Sequence, residues 1–440
     1  MGEVPTNWLI TELGEVTSKP QYGWTTKSQD FGDYKYLRTT DIGKGNIDWG
    51  KVPYCVDLPD TIEKYLLKKD DILISRAGSI GLSFLVDETT EKSLFASYLI
   101  RFKPFINPKF ISYFLLSSEY WKAISDNAIG IAVKNINAPK LQSIPFPLPP
   151  LAEQERIVTK LDALFAQIEK MKLSLAQIPI ILKNFRQQVL TQAVTGKLTE
   201  KWREGKELEE WKDLDIYDLV LDFKKDVRTG PFGSSLSKSE YQMDGFPVWG
   251  IESIGQAGKF TGKNKVFITE EKAKELQSFK VGEGDIIISR SGTVGELCII
   301  PEGINNGFIS TNLLKIVLNK SIVNSLFFCW MFKSNPTLLT SLKDLCKGST
   351  RLFITQGILK SLIYQLPTIL EQEEIVSIVN KLFIKVDVIE AQYKALKQKI
   401  ENLPQSILHK AFKGELVAQL PTDGDAKDLL EEIKKLKIKK

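Results

Sequence analysis

The chain repeats itself. Residues 148–165, LPPLAEQERIVTKLDALF, and residues 366–383, LPTILEQEEIVSIVNKLF, agree at 9 of 18 positions at an offset of 218. The same offset carries Ala193, Gly196 and Leu198 onto Ala411, Gly414 and Leu416. Upstream, DDILISRAGSIG (70–81) matches GDIIISRSGTVG (284–295) at an offset of 214, pairing Asp71 with Asp285, Ser75 with Ser289, Arg76 with Arg290, Gly78 with Gly292 and Gly81 with Gly295. Ile42-Gly43 and Ile254-Gly255 pair more loosely, at 212. Matches in this order define an internal duplication. Each half is a globular unit followed by a helical one: 1–150 and 151–205, then 206–366 and 367–440. The two globular units are expected to share one fold.

The helical units carry a strict apolar stripe. In the first it runs through Ile157, Leu161, Leu164, Ile168, Met171 and Leu175, and on through Ile178, Leu182, Phe185 and Val189. In the second it runs through Ile375, Val379, Leu382, Val386, Ile389, Tyr393 and Leu396, and on through Ile400, Leu403 and Ile407. Both stripes alternate steps of four and three, the seam of a left-handed coiled coil. Each segment needs a partner helix, and the other copy supplies one. LPP and LPT suit helix entry, and Gly196 and Gly414 suit helix ends. Pro179 and Pro404 lie inside the stripes, where each predicts a kink or break, most clearly before Pro404.

The globular units read as α+β. Short strands are predicted at Asp71–Ser75, Phe84–Val86, Tyr98–Phe102, Ile286–Ser289, Leu297–Ile300 and Leu313–Leu318, separated by turn residues. Helices are predicted at Pro108–Ser117, Glu119–Asn127, Glu270–Gln277 and Ser321–Lys333. The two types do not alternate regularly, which argues against a doubly wound sheet.

Composition removes many activities. With 43% hydrophobic and 26% charged residues the chain is an ordinary globular one. Its longest aromatic-rich apolar run, Leu326–Phe332, is far short of the roughly 20 residues of a membrane span. The opening MGEVPTNW lacks a basic, apolar leader, so export is not expected and a reducing cytoplasm fits the four cysteines, none in a CxxC pair. Gly2 and Thr6 fit only the loose myristoylation pattern. One histidine, His409, excludes His-rich zinc sites, HExxH proteases and histidine triads within the chain. No Walker A loop is present, since TGKLT at 195–199 lacks the leading glycine. SNPT at 334–337 is a poor substitute for an amino-methyltransferase motif, and no nuclease spacing surrounds Pro59-Asp60. The tail Leu429–Lys440 reads as a basic amphipathic helix or a frayed end.

The Ser-Arg-x-Gly element is the most informative local motif. A strand ends at Ser75-Arg76 or Ser289-Arg290, and glycines then open a turn carrying Ser79 or Thr293. Exposed amides beside arginine and hydroxyls suit phosphates or base edges. A tight folding turn, its arginine satisfying local carbonyls, accounts for the same residues. QYGWTTKS (21–28) and TGPFGSSL (229–236) both combine an aromatic, a glycine and hydroxyls near the start of their units. GIAVKN (130–135) and KGSTR (347–351) precede the helix entries. Candidate DNA contacts are Tyr22, Lys27, Ser75, Arg76, Ser79 and Lys134 in the first unit. In the second they are Phe232, Ser234, Ser289, Arg290, Thr293, Lys347 and Arg351. Charge alone would not suggest nucleic acid: 1–150 holds 17 basic and 17 acidic residues, and 206–366 holds 20 and 19.

LPPLAEQERIVTKL, AVTGKL, LPTILEQEEIVSIV and AFKGEL, with GDIIISRSGTVG and TGPFGSSL, resemble the specificity subunit of type I restriction–modification enzymes over nearly the whole chain. The resemblance implies two target recognition domains, each reading half of a split site in double-stranded DNA. It implies that the helical repeats form an antiparallel coiled coil that separates the domains and docks two modification subunits. S-adenosylmethionine, ATP and Mg2+ would then belong to the modification and restriction subunits, leaving this chain with no cofactor, metal or catalytic residue. A continuous helix from Ile157 to Val189 would be roughly 48 Å long, enough to place two readers about one DNA turn, roughly 34–36 Å, apart. The alternative is a coiled-coil scaffold or adaptor that does not bind DNA.

Overall fold

The structure, a computed structural model, describes residues 4–43, 47–87, 91–128, 135–232, 235–255, 258–264, 266–304, 307–345 and 353–438. Its residues fall into two compact units, 1–176 with 394–440, and 177–393. Each unit therefore joins one globular domain to a part of both helical repeats.

The two domains share a topology. In the first, a four-stranded sheet has the order Gln21–Tyr22, Leu99–Phe102, Ile72–Ser75, Ser83–Leu85. In the second, the order is Val227–Thr229, Leu313–Ile316, Ile286–Ser289, Leu297–Ile299. Ile72–Ser75 and Ile286–Ser289 are buried along their whole length, as near-continuous apolar runs with partners on both sides should be. A second sheet in each domain contains one parallel pair, Lys35–Leu37 beside Ser93–Phe95 and Phe246–Trp249 beside Gly307–Ile309. The edges differ: Ser28–Gln29 is a strand only in the first domain, and Lys280–Val281 only in the second. Their counterparts are single bridges, Gln242↔Phe267 and Leu66↔Leu94. The duplication thus covers the globular units as well as the helices.

In each domain a two-stranded antiparallel pair joins beginning to end, Leu9–Glu12 with Pro145–Leu148 and Lys212–Leu214 with Tyr364–Leu366. The chain then enters the helical repeat. The first repeat is two helices, Leu151–Ala176 and Ile178–Val194, and the second is the single helix Ile369–Phe412. Pro179 sits in the first turn of Ile178–Val194, where a missing N–H costs least. Of the kink or break expected at Pro404, the break does not occur: the helix runs on through the proline. Ile400, Leu408 and Phe412 on either side of Pro404 are buried. This packing outweighs the roughly 3 kcal/mol a helical proline costs. Ile180 and Ile181, beside Pro179, are exposed and hold nothing in place.

Within the first unit, Ile157, Val158 and Leu161 share a core with Leu408, Ala411 and Phe412. Within the second, Val189, Ala193 and Val194 share one with Ile375 and Val379. The beginning of the first repeat thus packs with the end of the second, and the end of the first with the beginning of the second, so the repeats run antiparallel. Polar pairs join the same ends: Arg156 meets Asp423 at 2.6 Å and Gln419 donates to Glu153 at 2.9 Å, while Arg186 meets Asp387 and Arg203 reaches back to Glu371 at 2.6 Å. The seam is narrower than the stripe predicts. Ile157, Leu161, Ile168, Leu175, Ile375, Val379 and Val386 are buried, whereas Leu164, Leu382 and Tyr393 are half-buried and Met171, Ile389 and Leu396 exposed.

Phe412 packs its ring against Phe110 and Phe114 at centroid distances of 5.3 and 5.4 Å. Phe412→Ala should destabilise the first unit by about 3–5 kcal/mol. Denaturant unfolding should then split into two transitions, the earlier one belonging to residues 1–176 and 394–440. A single unshifted transition would show that the C-terminal segment does not stabilise this domain.

Candidate nucleic-acid interface

The two Ser-Arg-x-Gly turns are built by the same hydrogen bonds. Gly81 N–H donates to the Ser75 carbonyl, and Gly295 N–H to that of Ser289, both at 2.9 Å. Ser75 N–H donates to Leu82 O at 2.8 Å, and Ser289 N–H to Glu296 O at 2.7 Å. Gly78 and Gly292 have φ of +73° and +77°, and Gly81 and Gly295 both +84°, a conformation that glycine adopts without steric cost. Ser75 and Ser289, offered by the sequence as DNA contacts, are fully buried instead. Their hydroxyls donate to Ala77 O at 3.0 Å and Ser291 O at 2.9 Å, closing the turn from inside. Ser79 and Thr293 stand exposed at its tip.

The arginines emerge beside aromatic rings. The Arg76 guanidinium lies over the Tyr22 ring at 4.9 Å, and its Nε donates to Asn135 Oδ1 at 3.2 Å. Arg290 lies over Phe232 at 5.1 Å and over Phe353 at 5.9 Å. Among the described residues its guanidinium makes one long hydrogen bond, 3.4 Å to Thr311 O, and its buried Nε has no partner. Burial pulls the Arg290 guanidinium below the usual arginine value. The structure thus brings together Tyr22 and Arg76, and Phe232 and Arg290, which the sequence offered only as separate candidates, and it adds Asn135 and Phe353, which the sequence did not single out. A weak signal existed: Asn135 ends GIAVKN, and Phe353 lies two residues beyond KGSTR. Phe232 is 59% exposed, which suits an aromatic that presents a cation. Lys27 is exposed and has no side-chain partner among the described residues. Lys134, Ser234, Lys347 and Arg351 lie outside the described residues.

Close backbone approach explains the glycine of the opening motifs. Gly23 N–H donates to Leu99 O and Gly230 N–H to Leu313 O, at 3.2 and 3.0 Å. A Cβ on Gly23 would overlap the carbonyls of Phe95 and Ala96, and one on Gly230 that of Ser310.

The helix entries supply the anchor behind these turns. Gln154 and Gln372 are buried, and their side chains bond twice over. Each donates to the proline carbonyl five residues back, Pro149 at 2.8 Å and Pro367 at 2.9 Å. Each accepts from the backbone of a helix-capping asparagine, Asn107 at 3.2 Å and Asn324 at 2.8 Å. The neighbouring carboxylates are buried too. Glu153 accepts from Trp8 Nε1 at 3.0 Å, Asn7 Nδ2 at 3.3 Å and Gln419 Nε2 at 2.9 Å. Glu371 accepts from Trp211 Nε1 at 3.3 Å, Thr199 Oγ1 at 2.6 Å and the Arg203 guanidinium. The repeated Glu-Gln pair is thus a structural clamp.

Two domains of matching topology, each clamped to an antiparallel helix pair and each holding an arginine over an aromatic ring, define a class of internally duplicated proteins built on paired helices. A family model described as the type I restriction modification DNA specificity domain matches residues 5–179 and 225–398. The Type I restriction enzyme EcoKI specificity subunit of Escherichia coli (strain K12) is 30% identical over 465 aligned residues, 98% of this chain and 96% of that one. The putative type I restriction enzyme MjaX specificity subunit of Methanocaldococcus jannaschii is 26% identical, over 94% of this chain and 95% of that one. The solved HsdS subunit from Thermoanaerobacter tengcongensis has the same fold, with a TM-score of 0.63 over 94% of this chain and 99% of that one at 18% identity. This chain belongs to the family of type I restriction enzyme specificity subunits.

The two kinds of residue in the turn should separate in a stability measurement. Ser289→Ala leaves a buried carbonyl unpaired and should cost about 1–3 kcal/mol. Arg290→Ala removes a cation with one long hydrogen bond and an orphaned Nε, and should change stability by less than about 1 kcal/mol. Denaturant midpoints of the two variants check this. Equal, large losses would mean that Arg290 holds the turn together.

Proposed function

We propose that the chain reads a bipartite site in double-stranded DNA, one half through each recognition domain, with Arg76 and Arg290 positioning the duplex. The observation that supports this best is the paired exposure of an arginine on an aromatic ring at the same turn of both domains. A buried turn needs no exposed ring beside its arginine, yet Phe232 is 59% and Tyr22 37% exposed. A guanidinium held on such a ring suits a phosphate or guanine O6 and N7. Near-neutral domains limit non-specific attraction, and partner subunits add basic surface.

The helical repeats dock modification subunits, and two copies fit a chain with two equivalent halves. Leu173 and Ile384 support this reading, being 71% and 64% exposed on helices whose seam is already occupied. Transfer of a methyl group to adenine, with S-adenosylmethionine, belongs to those subunits. ATP- and Mg2+-dependent translocation and cleavage belong to a restriction subunit. The chain itself supplies recognition and spacing. A coiled-coil scaffold that never meets DNA gives no role to the arginine–aromatic pairs.

The test is an exchange of residues 206–366 for the corresponding domain of another family member, followed by mapping of methylated adenine in cells that hold the modification subunit. The expected result is a split motif of which one half changes and the other stays. A continuous motif, or a change in both halves, would contradict independent reading.

A further inference from the structure

We infer that Tyr98 and Asn312 are specificity-determining residues, each meeting base edges in the half-site of its own domain. The inference rests on the reading that the Ser-Arg-x-Gly turns face DNA, and it names side chains within that reading.

The two residues hold one structural position. Arg76 N–H donates to the Tyr98 carbonyl at 2.9 Å, and Arg290 N–H to the Asn312 carbonyl at 3.0 Å. One residue on, Leu99 N–H donates to Ala96 O at 2.8 Å and Leu313 N–H to Ser310 O at 3.0 Å. The backbone frame is therefore the same in both domains, tied directly to the arginine. Within this frame the matching serines and glycines shape the turn. The side chains at 98 and 312 lie at its rim: Tyr98 is 58% exposed, and Asn312, exposed as well, touches the turn only through the Ser291 hydroxyl among the described residues. The Tyr98 ring and hydroxyl have no partner among the described residues. An exposed tyrosine that packs on nothing contributes little to the fold, but it offers an apolar face and a hydroxyl to a ligand.

Asn312 offers different chemistry at the same place. Ser291 Oγ donates to its Oδ1 at 2.9 Å, which orients the amide. Its Nδ2 then has no partner among the described residues and faces outward as a donor, suited to purine N7, guanine O6 or thymine O4. Tyr98 suits a thymine methyl or a single hydroxyl contact. Two different half-sites read on one scaffold need such a position, where the backbone is constant and the exposed chemistry differs.

The experiment assembles the full chain with its modification subunits and selects bound duplexes from a randomised library, using the wild type, Tyr98→Ala, Asn312→Ala and the exchange pair Tyr98→Asn and Asn312→Tyr. Melting temperatures are measured alongside. Asn312→Ala should lose discrimination by about five- to 150-fold at one position of one half-site. Tyr98→Ala should do so in the other half, with melting temperatures unchanged, and each exchange variant should shift the preferred base in its own half only. A wild type that selects a split motif while all variants keep that motif overturns the inference alone. Weakening that is uniform over all sequences also overturns it, since that marks a phosphate contact. A wild type that selects no split motif overturns the functional reading itself.

Discussion

A buried carboxylate at each helix entry is the constraint on which the rest depends. Glu153 and Glu371 are fully buried, and a charge in that setting survives only if donors surround it. The donors come from distant parts of the chain. Glu371 gathers Trp211 from the start of its domain and Thr199 and Arg203 from the segment after the first helical repeat. Glu153 gathers Asn7 and Trp8 from the start of its domain and Gln419 from the tail. The donors on Glu371 converge on Oε1, and those on Glu153 divide between Oε1 and Oε2, so each carboxylate ties domain, helix entry and returning segment together. The adjoining glutamine extends the lock to the helix-capping asparagine of the recognition domain.

This lock shares out the helical repeats. Each recognition domain grips the beginning of the helix that follows it and the end of the other helix, so both compact units contain an antiparallel pair. A domain held in this way can change its exposed residues without disturbing its mount. That separation supports the proposed modular reading of two half-sites: the glutamine anchor and the turn are repeated with the same bonds, while the exposed side chains around the turn differ.

Much of this was legible because duplication doubles every signal. The strands Ile72–Ser75 and Ile286–Ser289 and the helix ends at Gly196 and Gly414 all lay in repeated motifs. Other features were hidden for physical reasons. Heptad spacing cannot tell a knob covered on both sides from one facing water, so Met171, Ile389 and Leu396 read as seam although they are exposed. Pro404 read as a kink or break, and the helix is not broken there because Ile400, Leu408 and Phe412, to which local propensity is blind, are buried on both sides. Ser75 and Ser289 read as ligands because a hydroxyl that closes a turn and one that meets a phosphate share the same neighbours in sequence. The Glu-Gln pair read as a signature without a task, since its donors lie up to 266 residues away.

Amide hydrogen exchange on Glu371→Ala tests the clamp most directly. The substitution leaves the Thr199 hydroxyl, the Trp211 indole and the Arg203 guanidinium without their common acceptor. Exchange should rise across residues 177–393, in the strands of the recognition domain as well as in the helices, while residues 1–176 and 394–440 keep their protection. A rise confined to the few residues around position 371 would contradict the account, because it would mean that the carboxylate caps a helix and locks nothing else.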